Sequence, residues 1–198
     1  MAGILTSLRS TVIAGCVFAV ILFVIYYSIQ GYDGYAFGAF FFRWLHVLSG
    51  VMWIGLLWYF NFVQIPNMGK IPDEQKPAIG KVIAPAALWW FRWGAMATIV
   101  TGLILAAFNG YILEALLLGL IDGVPKHSMI GIGMWMGAIM WFNVWFVIWP
   151  NQKRALGIVE ADADSKAQSA RTAMLFSRTN TLLSVPMLFA MVSAQNLF

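Results

Sequence analysis

Thr11-Val-Ile-Ala-Gly-Cys-Val-Phe-Ala-Val-Ile-Leu-Phe-Val-Ile-Tyr-Tyr-Ser-Ile-Gln30 contains no charged side chain. As an α-helix rising 1.5 Å per residue, a run of this length is about 30 Å long, the thickness of the hydrocarbon layer of a membrane. A helix satisfies its own backbone hydrogen bonds, so an apolar helix is a structure that lipid tolerates. Arg9 precedes the run as in a signal peptide, but the run is long and ends in Tyr26, Tyr27 and Gln30 without a small-x-small cleavage site. It therefore predicts a retained anchor helix.

The rest of the chain has the same character. Hydrophobic residues make up 61% and charged residues 10% of the 198, against about 25% charged in soluble domains. Four further apolar helices are predicted over 37–65, 84–108, 127–149 and 174–197. Their ends are set by Pro66, the Asn109-Gly110 turn and Pro150. The expected fold is an all-α integral membrane protein, residues 1–198 forming a single membrane domain with a bundle of about five transmembrane helices. Residues 67–81 read as a polar loop, and 151–173 as a polar, helix-prone segment. Residues 111–120, apolar apart from Glu114, are too short to cross and read as interfacial. Pro186 predicts a kink in the last span.

The net charge of +4 does not point to nucleic acid, because the basic residues lie in loops between spans and not on one soluble face. Arg9, the Lys70–Lys81 region and the basic residues from Lys153 to Arg178 share one side, with only Arg43 and Lys126 on the other. Basic residues concentrate in the cytoplasm. The N-terminus is thus expected to be cytoplasmic and the C-terminus periplasmic, in a bacterial inner membrane, with lipid as the surrounding partner. Trp89, Trp90 and Trp93, with Arg92, read as an interfacial belt. Cys16 is the sole cysteine, so the chain has neither an internal disulfide nor Cys-x-x-Cys-His haem attachment. No Asp or Glu lies mid-span, which argues against an acidic ion relay. No Ser-His-Asp set, phosphate loop or zinc signature is present.

Only two histidines occur, each followed four residues later by glycine: His46 with Gly50 and His127 with Gly131. Ionisable residues in spans face the bundle interior and are functional candidates, and a glycine one turn away leaves a flat strip for a porphyrin edge or another helix. Arg43, His46, Gly50, Trp53, Leu57, Asn61 and Gln64 recur on one helical face. His127, Gly131, Met134, Ala138, Trp141 and Trp145 make a similar stripe. If the stripes face each other, both imidazoles meet at similar depth and suit haem b iron. The cofactor-binding candidates are His46, His127, Gly50, Gly131 and Arg43, with His46 and His127 as iron ligands. The plainer readings stand beside this one: His46 as a hydrogen-bond partner of a neighbouring helix, His127 as an interfacial residue, the four methionines of the fourth span as core filler, and Arg43 and Arg92 as snorkelling cations. Copper and zinc are disfavoured by the lack of a further ligand.

Three segments together carry a family resemblance: Trp44-Leu-His-Val-Leu-Ser-Gly-Val-Met-Trp-Ile-Gly55, Phe142-Asn-Val-Trp-Phe-Val-Ile-Trp-Pro-Asn-Gln152 and Ser177-Arg-Thr-Asn-Thr-Leu-Leu-Ser-Val-Pro-Met187. They resemble the membrane domain of bacterial urate hydroxylase, the urate oxidase N-terminal family. The resemblance implies an inner-membrane helical bundle, His46 at a haem-ligating position, oxidation of urate and electron transfer outward. Longer members end in a cytochrome c domain that residues 1–198 lack, so electrons are expected to leave through a separate cytochrome. The competing expectation is a non-catalytic accessory subunit of a larger membrane complex.

Overall fold

The computed structural model describes residues 2–198, and every regular element among them is helical. In chain order these are α1 (Ala2–Leu5), α2 (Leu8–Gln30), α3 (Gly34–Lys70), α4 (Lys76–Phe108), α5 (Ile112–Leu116), α6 (Pro125–Ala155) and α7 (Ala163–Asn196). The five long helices, α2, α3, α4, α6 and α7, have the length and hydropathy needed to cross a membrane. The chain divides into two units, residues 1–38 and 39–198.

In the first unit, the Ser7 side chain caps α2 by accepting from the Ser10 N–H. Gly31, at φ 78°, turns the chain out of the helix, a conformation that glycine adopts without a Cβ penalty. The Asp33 carboxylate then accepts from the Tyr35 and Ala36 N–H groups and opens α3.

The second unit is a ring of four antiparallel helices. Phe42 stacks on Phe108 and Phe60 meets Phe91 edge-on, which aligns α3 with α4 in opposite directions. Trp93 meets Trp145, joining α4 to α6. Asn143 bonds Asn180 and joins α6 to α7. The Trp58 indole donates to Ser184 and the Asn61 amide to Ser177, closing α7 onto α3. The enclosed core is formed by Trp53, Leu57, Leu88, Phe91, Met140, Val144 and Ile148.

α7 has a side-chain distribution suited to lipid. Its buried face is small or polar apart from Met187: Ser169, Ala173, Ser177, Asn180, Ser184, Met187, Ala190, Ser193 and Ala194. Leu175, Leu182, Val185, Phe189 and Val192 point outward. In water this distribution is inside out. In lipid it is favourable, since small residues let helices approach closely and buried hydroxyls and amides find partners across the interface.

Three expected helix boundaries are displaced. Pro66 and Pro150 do not end their helices: α3 continues to Lys70 and α6 to Ala155. Most of 67–81 is likewise helical, with only a short turn between Lys70 and Lys76. The cause is the same each time. A π-helical turn over Tyr59–Gln64, Ile79–Ile83 and Asn143–Ile148 precedes Pro66, Pro85 and Pro150 by two residues. The residue just before each proline, Ile65, Ala84 or Trp149, donates its N–H five residues back, to Phe60, Ile79 or Val144. The widened turn accommodates the proline ring and its missing donor, so the helix bends its ladder without stopping. α7 also runs on through Pro186. Within 151–173, Asp162 caps a fresh start of α7 by accepting from the Ser165 N–H.

Residues 111–120 form α5 and a tight turn containing Leu118 at φ 56° and Gly119 at φ 69°. This turn packs on α6 at Gly131, where a Cβ would collide with the Ala115 carbonyl oxygen. Gly131→Ala should therefore displace α5 and lower stability by about 1–3 kcal/mol, the usual range for overpacking. Thermal unfolding of the detergent-solubilised variant measures this, and an unchanged midpoint would show that α5 is not docked there.

Candidate functional site

In the four-helix unit, polar side chains gather at two levels. Nearer the end that bears α5 and Asp122, His46 projects from α3 onto α4. Its Nδ1 lies 2.9 Å from the Thr98 carbonyl oxygen. A carbonyl can only accept, so Nδ1 carries the proton and Nε2 keeps its lone pair. Thr101, 3.5 Å from the same nitrogen, donates its hydroxyl to the Ala97 carbonyl at 2.6 Å. Nε2 has no hydrogen-bond partner among the described residues. The edge of the ring abuts Gly102, where a Cβ would stand 2.8 Å from Cε1. The glycine that makes room for the imidazole thus comes from α4. A Cβ on Gly50, one turn away on α3, would meet nothing within 4 Å, so the strip beside His46 on its own helix is open.

His127 has different neighbours. Its Nδ1 is 2.5 Å from the Asp122 carboxylate, and its ring lies against Tyr111 at 5.5 Å between centroids. Gly131 offers no open strip beside it, because the α5 turn fills that place. His46 contacts α4 at Thr98–Gly102, whereas His127 stands beside Tyr111, beyond the last residue of α4. The ring order also sets α3 and α6 diagonally. The expectation that two stripes face each other with their imidazoles at one depth is not what these contacts describe; the docking of α5 against α6 holds His127 elsewhere. Arg43 is exposed and acts on Tyr111. Burial raises the Tyr111 hydroxyl above its ordinary range, while the charge of Arg43 and the side chain of Gln195 oppose the rise.

The second level lies in the middle of α4. Arg92 reaches from α4 to Trp149 of α6. It is 9% exposed, and its guanidinium carbon sits 3.3 Å from the centre of the Trp149 ring. Lys153 adds a second cation 5.7 Å from the same ring. Among the described residues the ion pairs are Lys76–Asp73 and His127–Asp122, and neither involves Arg92 or Lys153. Among the described residues, side-chain polar atoms enclosed by protein but lacking a hydrogen-bond partner are Trp53 Nε1, Asn61 Oδ1, Gln64 Oε1, Arg92 Nη1, Trp141 Nε1, Trp145 Nε1 and Gln152 Oε1. All belong to the half of the ring that runs from Trp53 and Trp141 toward the basic loops.

Periodicity placed Asn61, Gln64, Trp141 and Trp145 on inward stripes, and they are there. It could not find Thr98 and Gly102 as the support of His46, since both lie on another helix. Nor could it separate a buried Arg92 from a snorkelling one. The Trp-rich surroundings suggest a belt, yet Trp89 and Trp90 point outward while Trp93 packs on Trp145 and Arg92 turns in. Asn143 and Asn180 carry no spacing signal that marks them as a pair.

Residues 123–197 match the model of the family described as Urate oxidase N-terminal. The matched stretch holds α6, α7, His127 and Trp149, together with the Phe142–Gln152 and Ser177–Met187 segments; His46 and Arg92 lie outside it. No curated protein and no solved structure matches the chain.

The Asp122 carboxyl is held below its ordinary range, first by the Val124 N–H and then by His127. A carboxylate with a lowered folded-state pKa stabilises above its unfolded value and loses that contribution as pH falls through the folded value. Stability should therefore fall below about pH 4, and Asp122→Asn should flatten that acid limb while leaving the alkaline limb unchanged. Unfolding midpoints across pH test this; identical acid limbs would dissociate Asp122 from it.

Proposed function

We propose that the protein is a haem b-binding electron-transfer protein of the bacterial inner membrane, related to the membrane domain of urate hydroxylase. The N-terminus is cytoplasmic. The observation that carries this reading is His46: its Nδ1–H is fixed by a backbone carbonyl, its Nε2 is unpartnered, and the strip at Gly50 beside it is open. Metal-ligating histidines have this arrangement, the outer nitrogen bonded to a carbonyl that sets tautomer and ring direction. The match over residues 123–197 adds the family context.

In this reading His46 would hold the iron through Nε2, and Arg43, three residues before it, would meet a propionate. Thr98 and Gly102 position the imidazole, one by its carbonyl and one by having no side chain. Bound haem supplies one-electron oxidation and reduction. His127, held by Asp122 against Tyr111, has different neighbours, so His46 carries the assignment. Lys70, Lys76, Lys81, Lys153 and Arg154 mark the cytoplasmic end, which leaves both histidines toward the periplasm, where a separate cytochrome would take electrons. Urate is the substrate that the family description suggests.

Protein purified from haem-replete cells should show a reduced-minus-oxidised haem b spectrum, abolished in His46→Ala and kept in His127→Ala. Urate should reduce the bound haem. A colourless preparation would overturn the assignment in favour of an accessory subunit, and fully loaded haem that does not respond to urate would reject the substrate.

A further inference from the structure

A cleft opens between the end of α6 and the start of α7, at the basic end of the four-helix unit. It holds about 290 Å³ and is lined by Asn151 and Arg154 from α6 and by Ser165, Gln168, Ser169 and Thr172 from α7. Ser169, 5% exposed, is the deepest of the six. Every lining side chain is polar, and Arg154 alone is charged. Among the described residues Arg154 takes part in no ion pair. Of the carboxylates at this end, Asp162 is held by the N–H and hydroxyl of Ser165. Glu160 and Asp162 border a separate hollow with Lys166, and Asp164 lines neither. The cleft therefore presents one uncompensated positive charge.

The hydrogen bonds around it set what else it can offer. Asn151 donates its amide to the Val147 carbonyl, Ser165 its hydroxyl to Asp162, and Thr172 its hydroxyl to the Gln168 carbonyl. A hydroxyl has one hydrogen to give, so Ser165 and Thr172 keep only oxygen lone pairs, and Asn151 keeps its Oδ1. A matching guest brings an anionic group for the guanidinium and O–H donors for these oxygens. One turn toward the middle of the spans the same helix faces become apolar. Val147, four residues before Asn151, is half-buried, and Phe176, four after Thr172, is 37% exposed. A polar cleft that leads onto apolar surface at the end of two membrane-length helices suits an amphiphile.

From this arrangement we infer that the cleft binds the headgroup of an anionic phospholipid of the phosphatidylglycerol class. The Arg154 fork takes two oxygens of the phosphodiester. The glycerol hydroxyls donate to the oxygens of Asn151, Ser165 and Thr172, and the lipid tail runs along Val147 and Phe176. Basic pockets between spans take anionic headgroups in this way, and the volume, at the small end of ligand pockets, suits a compact headgroup. The site involves neither histidine and does not depend on haem.

The test uses the full chain in detergent micelles doped with phosphatidylglycerol or phosphatidylcholine, or supplied with soluble glycerol 3-phosphate, and follows thermal unfolding. Phosphatidylglycerol should raise the midpoint by several degrees in a saturable way, and the other two should not. Arg154→Gln should raise the half-saturating amount of phosphatidylglycerol about fivefold, the worth of one basic side chain at an anionic headgroup. Gln168→Glu, which puts a negative charge into the cleft, should weaken the response at least as much. Arg171→Gln, beside Thr172 in sequence but outside the lining, should leave it nearly unchanged. Arg154, Gln168 and Arg171 are all exposed, so these substitutions leave the fold intact. Equal responses to the two lipids, no response to phosphatidylglycerol, or an unchanged response in Arg154→Gln would each overturn the proposal. So would an equal effect of glycerol 3-phosphate, which would make this a site for free phosphate esters, or an equal loss in Arg171→Gln, which would make the attraction a diffuse one of the basic surface.

Discussion

The hydrogen bonds between Asn143 and Asn180 and from Asn180 to the Met140 carbonyl, 2.8 and 2.9 Å long, are closed off from any solvent. In a soluble bundle two such helices are driven together by burying apolar side chains. Lipid removes that drive, because the tails are as apolar as the side chains, and leaves close packing and polar contacts to associate helices. Asn180 is fully enclosed, and its neighbours along the buried face of α7 are serines and alanines. The small residues bring the backbones together, and the amides fix the register. Trp58 to Ser184 and Asn61 to Ser177 repeat the device between α3 and α7. The ring thus depends on a polar seam along one helix.

The π-helical turns belong to the same economy of backbone groups. A proline in a membrane helix orphans a carbonyl where no water can reach it. Here each of Pro66, Pro85 and Pro150 follows a turn whose last bond reaches back five residues. Two of those turns hold Asn61 and Asn143, the side chains that bond to α7. Widening the turn moves the polar groups in register with their partners while carrying the helix past the proline. Trp149 lies between one such turn and its proline, so the ring that supports Arg92 is placed by the same adjustment.

The two chemical levels differ in how they are supported. His46 rests on backbone, a carbonyl and a glycine, which substitutions elsewhere leave in place. Arg92 rests on an indole face.

Composition and apolar run length alone determined that the chain is helical with five segments able to span a membrane, because both follow from covalent chemistry and a fixed rise per residue. The period of three to four residues likewise put Trp53, Leu57 and Asn61 inward. Proline read as a terminator failed at Pro66 and Pro150, because the compensating π turn has no signature in residue type. Tertiary structure alone decided that Gly102 and not Gly50 receives the imidazole, that α5 occupies the strip at Gly131, and that Arg92 turns inward beside Trp89 and Trp90, which are exposed. Each of these depends on which helix faces which and at what height. That is fixed by contacts between residues far apart in the chain, such as Asn143 with Asn180, and a local pattern contains no information about them.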